Sequence, residues 1–422
     1  MTTATYVLMH GNVETVRFSY DLEAHAVEKV LAVPNAAHAP LTVFARGGRV
    51  SEFALNRWWH ERGLLASHHQ LRALEGHPET RSTLTLAERT WCLSLSDHYW
   101  VNDEERPLNW DDINFFDNDF SHDLNLVPVL HAAPRGSTLL ARTTTLMPHD
   151  EPASVEQRKK WVISGGKRMF IKAGGSPFNQ AAYNEVIATR LYRRLLREDD
   201  YVPYSLYRDD LGTYCASPMM LGEGEELIPL YDLIRCRRRP DDLGRAAYLL
   251  ARLRSVGALG TLSTPRRELN LVVSLLRERG IHQPEEFLSK MFTCDFILAN
   301  DDRHFCNFGA IRDAATLRFK RLAPIYDTGM CLWCRAEKLE TFSDFHYATK
   351  PFRPKGMRPT DQLALFNHYD WFAESALDGF ADEAKAILNR NPLMPPGRNA
   401  LVHLGIVRNI ECLVNRVRRL RG

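Results

Sequence analysis

Apolar residues follow two periods in turn along the chain. Short alternating runs come first. Thr5 to Met9 and Thr15 to Ser19 flank His10-Gly11-Asn12 and predict a strand pair. Leu41 to Ala45, ahead of Gly47-Gly48, predicts another strand. From Ser51 to about Glu75 the positions Phe53, Leu55, Trp58, Leu64, Leu65 and Leu71 recur at helical spacing. A further helix is predicted from Thr85 through Trp91-Cys92-Leu93. Tyr99 to Phe120 is acidic and aromatic without a period, and reads as a long ordered loop whose rings anchor it to a core.

A stretch without period, from Thr143 to Val155, leads into a second pattern. Lys159 to Ser164 and Lys167 to Ala173 surround Gly165-Gly166 and predict a hairpin. Gln180 to Arg197 places Ala182, Val186, Ile187, Leu191 and Leu195 on one helical face. Tyr204 to Tyr207 and Gly212 to Ala216 predict a second hairpin. From Leu243 the period is helical: Ala246 to Val256, Leu269 to Arg279, Pro284 to Leu298, Gln362 to Phe366, Trp371 to Leu388 and Leu401 to Leu420. The class is α+β, in three units: an N-terminal accessory α+β domain over 1–142, a small β-rich lobe over 143–221 and a helical lobe over 222–422.

Bulk properties narrow the function little. A chain of 422 residues, 45% hydrophobic and 25% charged, has the composition of a soluble globular protein with two or three units. The net charge of +2 implies no polyanion partner. The N-terminus does not read as a signal peptide, and no apolar run approaches the roughly 20 residues of a membrane helix. Eight cysteines scattered through apolar segments fit reduced thiols, so a cytoplasmic location with no membrane partner is expected. Cys331 and Cys334 form the one close pair. Zinc needs further ligands at matching spacing, so these read as core-facing thiols. The basic runs Arg235 to Arg239 and Arg416 to Arg421 read as solvated helix ends. No nucleic-acid motif accompanies them.

The chemistry is concentrated in two segments. The apolar run Met291 to Ala299 delivers Asn300-Asp301-Asp302-Arg303-His304-Phe305-Cys306-Asn307. After a short hairpin-like insert comes Ala323-Pro324-Ile325-Tyr326-Asp327-Thr328-Gly329. Phosphoryl transfer needs a carboxylate to orient the attacking hydroxyl, and an amide and a second carboxylate to hold Mg²⁺ on the phosphates. Asp302, Asn307 and Asp327 supply that set, with Asp301 the alternative base. Arg303 braces the loop or pairs with a phosphate. His304 is a donor near the transferred group or a buried histidine satisfied by backbone. Upstream, Lys172 closes an apolar strand where it can reach ATP phosphates, and Glu185 on the next helix is its anionic partner. Gly174-Gly175-Ser176 offers backbone N–H groups to phosphate. Adenine is expected against Ser217 to Leu221, at Met219 and Met220. Strand, strand, helix, strand, strand, then helices is the order of a bilobal protein-kinase-like fold.

Asp302-Arg303-His304-x-x-Asn307, followed by Ala323-Pro324-Ile325-Tyr326-Asp327, resembles the HipA-like serine/threonine kinases of bacteria. The resemblance runs from about Ser154 to the C-terminus and is strongest at these motifs and around Lys172. It implies that Asp302 is the catalytic base, that Asn307 and Asp327 bind Mg²⁺, and that Lys172 binds ATP. It also implies a phosphate-loop serine open to autophosphorylation, for which Ser154 is the nearest match. Val155 stands where the family has glycine. Toxin-like phosphorylation of a protein substrate, an antitoxin or regulatory protein partner and a mobile-element regulatory role follow as expectations. The same Asp-Arg-His-x-x-Asn resembles the catalytic loop of phosphatidylinositol kinases. A kinase of the same fold acting on a small molecule or lipid, or a nucleotide-binding pseudokinase, therefore stands beside the protein-kinase reading.

Overall fold

The computed structural model describes residues 3–45, 48–63, 91–119, 159–175, 177–209, 212–237, 265–352 and 357–422. The boundary expected at 142/143, the helix Ala246 to Val256, the stretches from Leu64 to Glu75 and from Thr85 to Thr90, Ser176, and Arg238 and Arg239 lie outside the described residues.

The first sheet is antiparallel, in the order β3-β2-β1-β4: β1 is Thr3–His10, β2 Val13–Asp21, β3 Ala26–Ala32 and β4 Tyr99–Asp103. Both faces are covered, so its alternation is apolar on both sides. Leu8, Val16, Phe18 and Tyr20 pack on α1 (Glu52–Gly63) through Leu55, Trp58 and Trp59. The Trp59 ring stacks on Tyr20 at 4.8 Å. Val7, Met9 and Trp100 face the other way, toward Trp110, Phe115 and Trp161. The Asn56 amide on α1 bonds both the Val27 N–H (2.7 Å) and the Val27 carbonyl (3.0 Å), closing the edge of β3 where a further strand would lie.

Three sequence expectations need correction here. Leu41 to Ala45 makes only an isolated bridge, Phe44 to Val50, because turns flank it on both sides. Trp91 and Cys92 have positive φ, which no helix tolerates, so Trp91 to Leu93 is a turn. Tyr99 to Asp103 is a strand, paired with β1. The rest of that passage, with the short α2 (Trp110–Ile113), is held by the buried rings of Trp110 and Phe115.

The second sheet has the order β5-β6-β8-β7: β5 is Lys159–Ser164, β6 Lys167–Ala173, β7 Ser205–Asp209 and β8 Gly212–Pro218. Gly165 and Gly166, with φ of 56° and 73°, form the two-residue turn between β5 and β6. α3 (Gln180–Leu195) connects this hairpin to the next and packs against the sheet. The helical lobe holds α4 (Leu230–Arg237), α5 (Pro265–Glu278), α6 (Pro284–Ile297), α7 (Pro359–Leu363), α8 (Phe380–Leu388) and α9 (Arg398–Arg421). It also carries a small antiparallel sheet, β11-β10-β9, made of β9 (Glu225–Pro229), β10 (Gly309–Asp313) and β11 (Phe319–Leu322). The helix expected over Trp371 to Leu388 forms only over Phe380–Leu388, after a 3-10 turn at Glu374–Leu377, with Gly379 (φ of 70°) between them. The architecture is therefore α+β, with a β-rich lobe before a helical lobe and an α+β unit ahead of both. Several arginines of α9 bond neighbouring segments from the surface: Arg416 the Phe366 carbonyl, Arg418 Glu374, and Arg421 the carbonyls of Tyr369 and Phe372. No helix among the described residues is long and apolar enough to cross a membrane.

The N-terminal unit touches both lobes. Trp161, Phe170 and Met219 of the β-rich lobe join its aromatic cluster. Arg168 donates to the carbonyls of Phe115 (2.6 Å) and Asn118 (3.2 Å). On the helical lobe, the Leu227 N–H donates to the Ser96 carbonyl at 2.8 Å. Beside it, Glu226 is fully buried, paired with Arg312 and bonded to His10 Nε2 at 3.0 Å, while Arg312 also donates to the Tyr99 hydroxyl at 2.8 Å. Burial alone would raise the Glu226 pKa. Hydrogen bonds from His10 and His98 and the Arg312 charge outweigh it, and hold the carboxyl well below the ordinary value of 4.5.

A depressed carboxyl pKa stabilises the fold above the unfolded value and loses that contribution as pH falls toward the folded one. Stability should therefore decline below pH 4.5 as this carboxylate protonates. Glu226→Gln leaves Arg312 buried without its counter-charge, and should cost about 3–5 kcal/mol at pH 7. It should also flatten that acid limb. Denaturant unfolding across pH measures both, and an unchanged midpoint at pH 7 would show that the cluster contributes no net charge pairing.

Candidate active site

Alternation along β6 sends Ile171 to one face of the sheet and Lys172 to the other, against α3. Lys172 is 1% exposed. Its Nζ donates to Glu185 Oε1 and, at 2.5 Å, to Asp327 Oδ1. The Tyr204 ring lies 5.7 Å away. Burial would lower the lysine pKa, but the Asp327 and Glu185 carboxylates raise it well above the ordinary value, so the ammonium is retained.

The first turns of α3 are polar and buried, which is unusual for a helix face in a core. Each of these groups holds the segment that follows Asp327. Gln180 Nε2 donates to the Leu332 carbonyl at 2.9 Å. Asn184 Nδ2 donates to the carbonyls of Gly329 (2.9 Å) and Cys331 (2.7 Å). Glu185 Oε2 accepts from the Thr328 N–H at 3.1 Å. The approach is close enough to require glycine at 329: a Cβ there would stand 2.8 Å from the Ala181 carbonyl oxygen and 3.0 Å from Glu185 Oε1. Asp327 itself takes φ of 54°, a region a non-glycine residue occupies only when its surroundings impose it.

Arg303 organises the other loop. It is 1% exposed, and every guanidinium nitrogen has a partner. Nε and Nη2 bond Asp295 Oδ2 and Oδ1 at 2.9 and 3.0 Å, a bidentate pair. Nη1 donates to the carbonyls of Asn307 (3.0 Å) and Tyr326 (2.6 Å), and Nη2 also reaches Thr328 Oγ1 at 2.8 Å. Of the two roles read from sequence, the geometry is that of the brace: Arg303 ties the end of α6, the 302–307 loop and the Asp327 segment together. Asp295 was not anticipated. Its signal was a lone carboxylate inside the apolar run Met291 to Ala299.

Asn307 Nδ2 donates to the Asp302 carbonyl at 3.0 Å, and its Oδ1 is the acceptor end of the amide. Asp302 Oδ1 lies 2.7 Å from Lys350 Nζ, and Oδ2 lies 3.1 Å from Arg335 Nη2. Arg335 Nη1 is 3.1 Å from Asp301 Oδ1, an ion-pair distance that lacks hydrogen-bond alignment. Burial pushes the Asp301 pKa above its ordinary value, against the Arg335 charge. His304 is half-buried, and burial lowers its pKa, so the ring is neutral at pH 7. Its Nδ1 accepts from the Cys306 N–H at 3.3 Å.

The nucleotide-side expectations have mixed placements. Ser154 and Ser176 lie outside the described residues. The Gly174 N–H is already bonded to Asn179 Oδ1 at 2.7 Å, in a fit so close that a Cβ at 174 would overlap Asn179. Met219 donates its N–H to the Arg168 carbonyl at 3.0 Å. Met220 packs beside Tyr204, Cys215 and Tyr326, against the Lys172 side of the sheet.

No protein-family model matches the chain, and no curated protein matches it. Solved structures are similar to it, among them these two. One is the Helicobacter pylori proinflammatory kinase CtkA, 16% identical, with a TM-score of 0.43, covering 64% of this chain and 92% of that one. The other is the Shewanella oneidensis toxin–antitoxin protein HipA, in a complex with HipB and operator DNA. It is 12% identical, with a TM-score of 0.49, and the match covers 99% of both chains.

Removing one partner of a buried bidentate pair leaves the other charge uncompensated. Arg303→Met should cost about 3–5 kcal/mol, and Arg303→Lys, which keeps the charge but loses the fork, should cost less. Denaturant unfolding of both variants checks the order. Equal stability of Arg303→Met and the parent chain would remove the brace.

Proposed function

We propose that the chain is an ATP- and Mg²⁺-dependent kinase of the HipA-like kind, transferring the γ-phosphoryl group of ATP to a serine or threonine hydroxyl of a protein. The observation that carries this is Lys172 held between Glu185 and Asp327, with Asp302 and Asn307 on a loop that Arg303 binds to the same segment. A buried ammonium of this kind suits the phosphates of a nucleotide. Met220, at the strand-to-linker position, supplies the backbone donor for adenine, because the Met219 N–H is already taken.

The residues fit a magnesium ion. Among the described residues no three His, Cys, Asp or Glu side chains converge as a cage. Asn307 and Asp327 offer one neutral and one charged oxygen donor, which suffices for a cation that takes its other ligands from phosphates and water. When bound, Mg²⁺ neutralises charge on the transferring phosphates. Asp302 orients the acceptor hydroxyl and takes its proton, Lys172 holds ATP, and Arg303 keeps the two loops in register. Autophosphorylation at Ser154, a cytoplasmic setting and an antitoxin or regulatory protein partner belong to the same reading.

The test is incubation of the purified chain with labelled ATP and Mg²⁺, followed by intact-mass analysis and peptide mapping. Transfer should fall about 10²–10⁴-fold in Asp302→Ala and in Asp327→Ala, with the fold retained. Lys172→Ala should weaken ATP use. Full activity in either aspartate variant would overturn the site, and failure of the parent chain to bind ATP would overturn the reading.

A further inference from the structure

Asp302 carries a second charge cluster, separate from the one on Lys172. Its two oxygens meet Lys350 at 2.7 Å and Arg335 at 3.1 Å, and Arg335 also reaches Asp301. Both cations come from the segment beyond Asp327, so the fold brings them to the loop across a long stretch of chain. The place of Lys350 is built. Thr349 is buried and bonds the Met357 carbonyl twice, through N (3.0 Å) and Oγ1 (3.2 Å). The Lys350 carbonyl accepts from buried Gln362 Nε2 at 2.7 Å. The backbone is clamped on both sides, while the side chain is half exposed. A mere surface ion pair contributes little and needs no such clamp.

A hydroxyl that gives its proton to Asp302 must come within about 3 Å of that carboxylate, which brings it beside the Lys350 ammonium. We propose that Lys350 is a further catalytic residue, contacting the phosphoryl group during transfer, and that Arg335 is a positioning residue that keeps the Asp302 carboxylate aimed. This rests on the kinase reading above. In the step, the acceptor oxygen bonds to the γ-phosphorus and the bond from that phosphorus to the β–γ bridging oxygen breaks. Its electron pair leaves with ADP, and the hydroxyl proton passes to Asp302. Charge stays spread over the equatorial phosphoryl oxygens, and a cation anchored by its backbone beside the base opposes it where transfer occurs.

The experiment uses the full chain with Mg²⁺ and ATP. ADP release gives kcat and KM, and a fluorescent ATP analogue gives nucleotide affinity. Lys350→Met should lower kcat about 10²-fold, with KM for ATP and analogue affinity within about twofold of the parent and an unchanged melting temperature. Lys350→Arg should recover part of the loss. Arg335→Met should lower kcat about tenfold, with partial rescue by Arg335→Lys. A Lys350→Met chain with parental kcat overturns the proposal. So does one with higher kcat, which would make Lys350 a cap on the base. A parent chain that neither binds the analogue nor forms ADP overturns the kinase reading itself, and this proposal with it.

Discussion

The candidate site depends on one buried interaction, the fork between Arg303 and Asp295. A guanidinium out of water is tolerable only if its charge and all its N–H groups are answered. Asp295 answers the charge from the end of α6, and the carbonyls of Asn307 and Tyr326 and the Thr328 hydroxyl answer the remaining N–H groups. Satisfying one side chain thus fixes three segments at once. The loop with Asp302 and Asn307 cannot shift against the segment with Asp327 without leaving part of that guanidinium unpaired.

The β-rich lobe is coupled to this arrangement by the same logic. Gln180, Asn184 and Glu185 are buried on α3, and their partners are backbone groups of residues 328–332. Lys172 then finds one carboxylate from its own lobe and one from the other. The N-terminal unit adds a second bridge. Its aromatic face covers Trp161 and Met219, while His10, His98 and Tyr99 meet Glu226 and Arg312. The outer unit thus contacts both lobes, which its aromatic and acidic sequence did not disclose.

Much of the fold was legible where local chemistry dominates. Gly165-Gly166 between two apolar runs specifies a tight hairpin, and the apolar spacing of Val186, Ile187 and Leu191 specifies a helix that buries one face. Legibility failed where distant partners decide. β3 was missed because Ala26–Ala32 exposes most of its residues and is held by strand pairing and by Asn56. β9 was missed because Glu225-Glu226 breaks any apolar alternation, although Glu226 is buried against an arginine and a histidine from other elements.

For the candidate site, sequence alone singled out the residues proposed to carry the chemistry. Asp302, Asn307 and Asp327 share two short segments whose spacing is set by the chain itself, and Lys172 and Glu185 occupy a strand and the helix that follows it. Tertiary structure decided what holds those groups and what faces them. Arg303 became a brace, Asp295 its counter-charge, and Lys350 and Arg335 the neighbours of Asp302. None of these pairings follows from local pattern, because an ion pair is specified by distance in space. Residues as far apart as Lys350 and Asp302 come within 2.7 Å only after the intervening chain has folded.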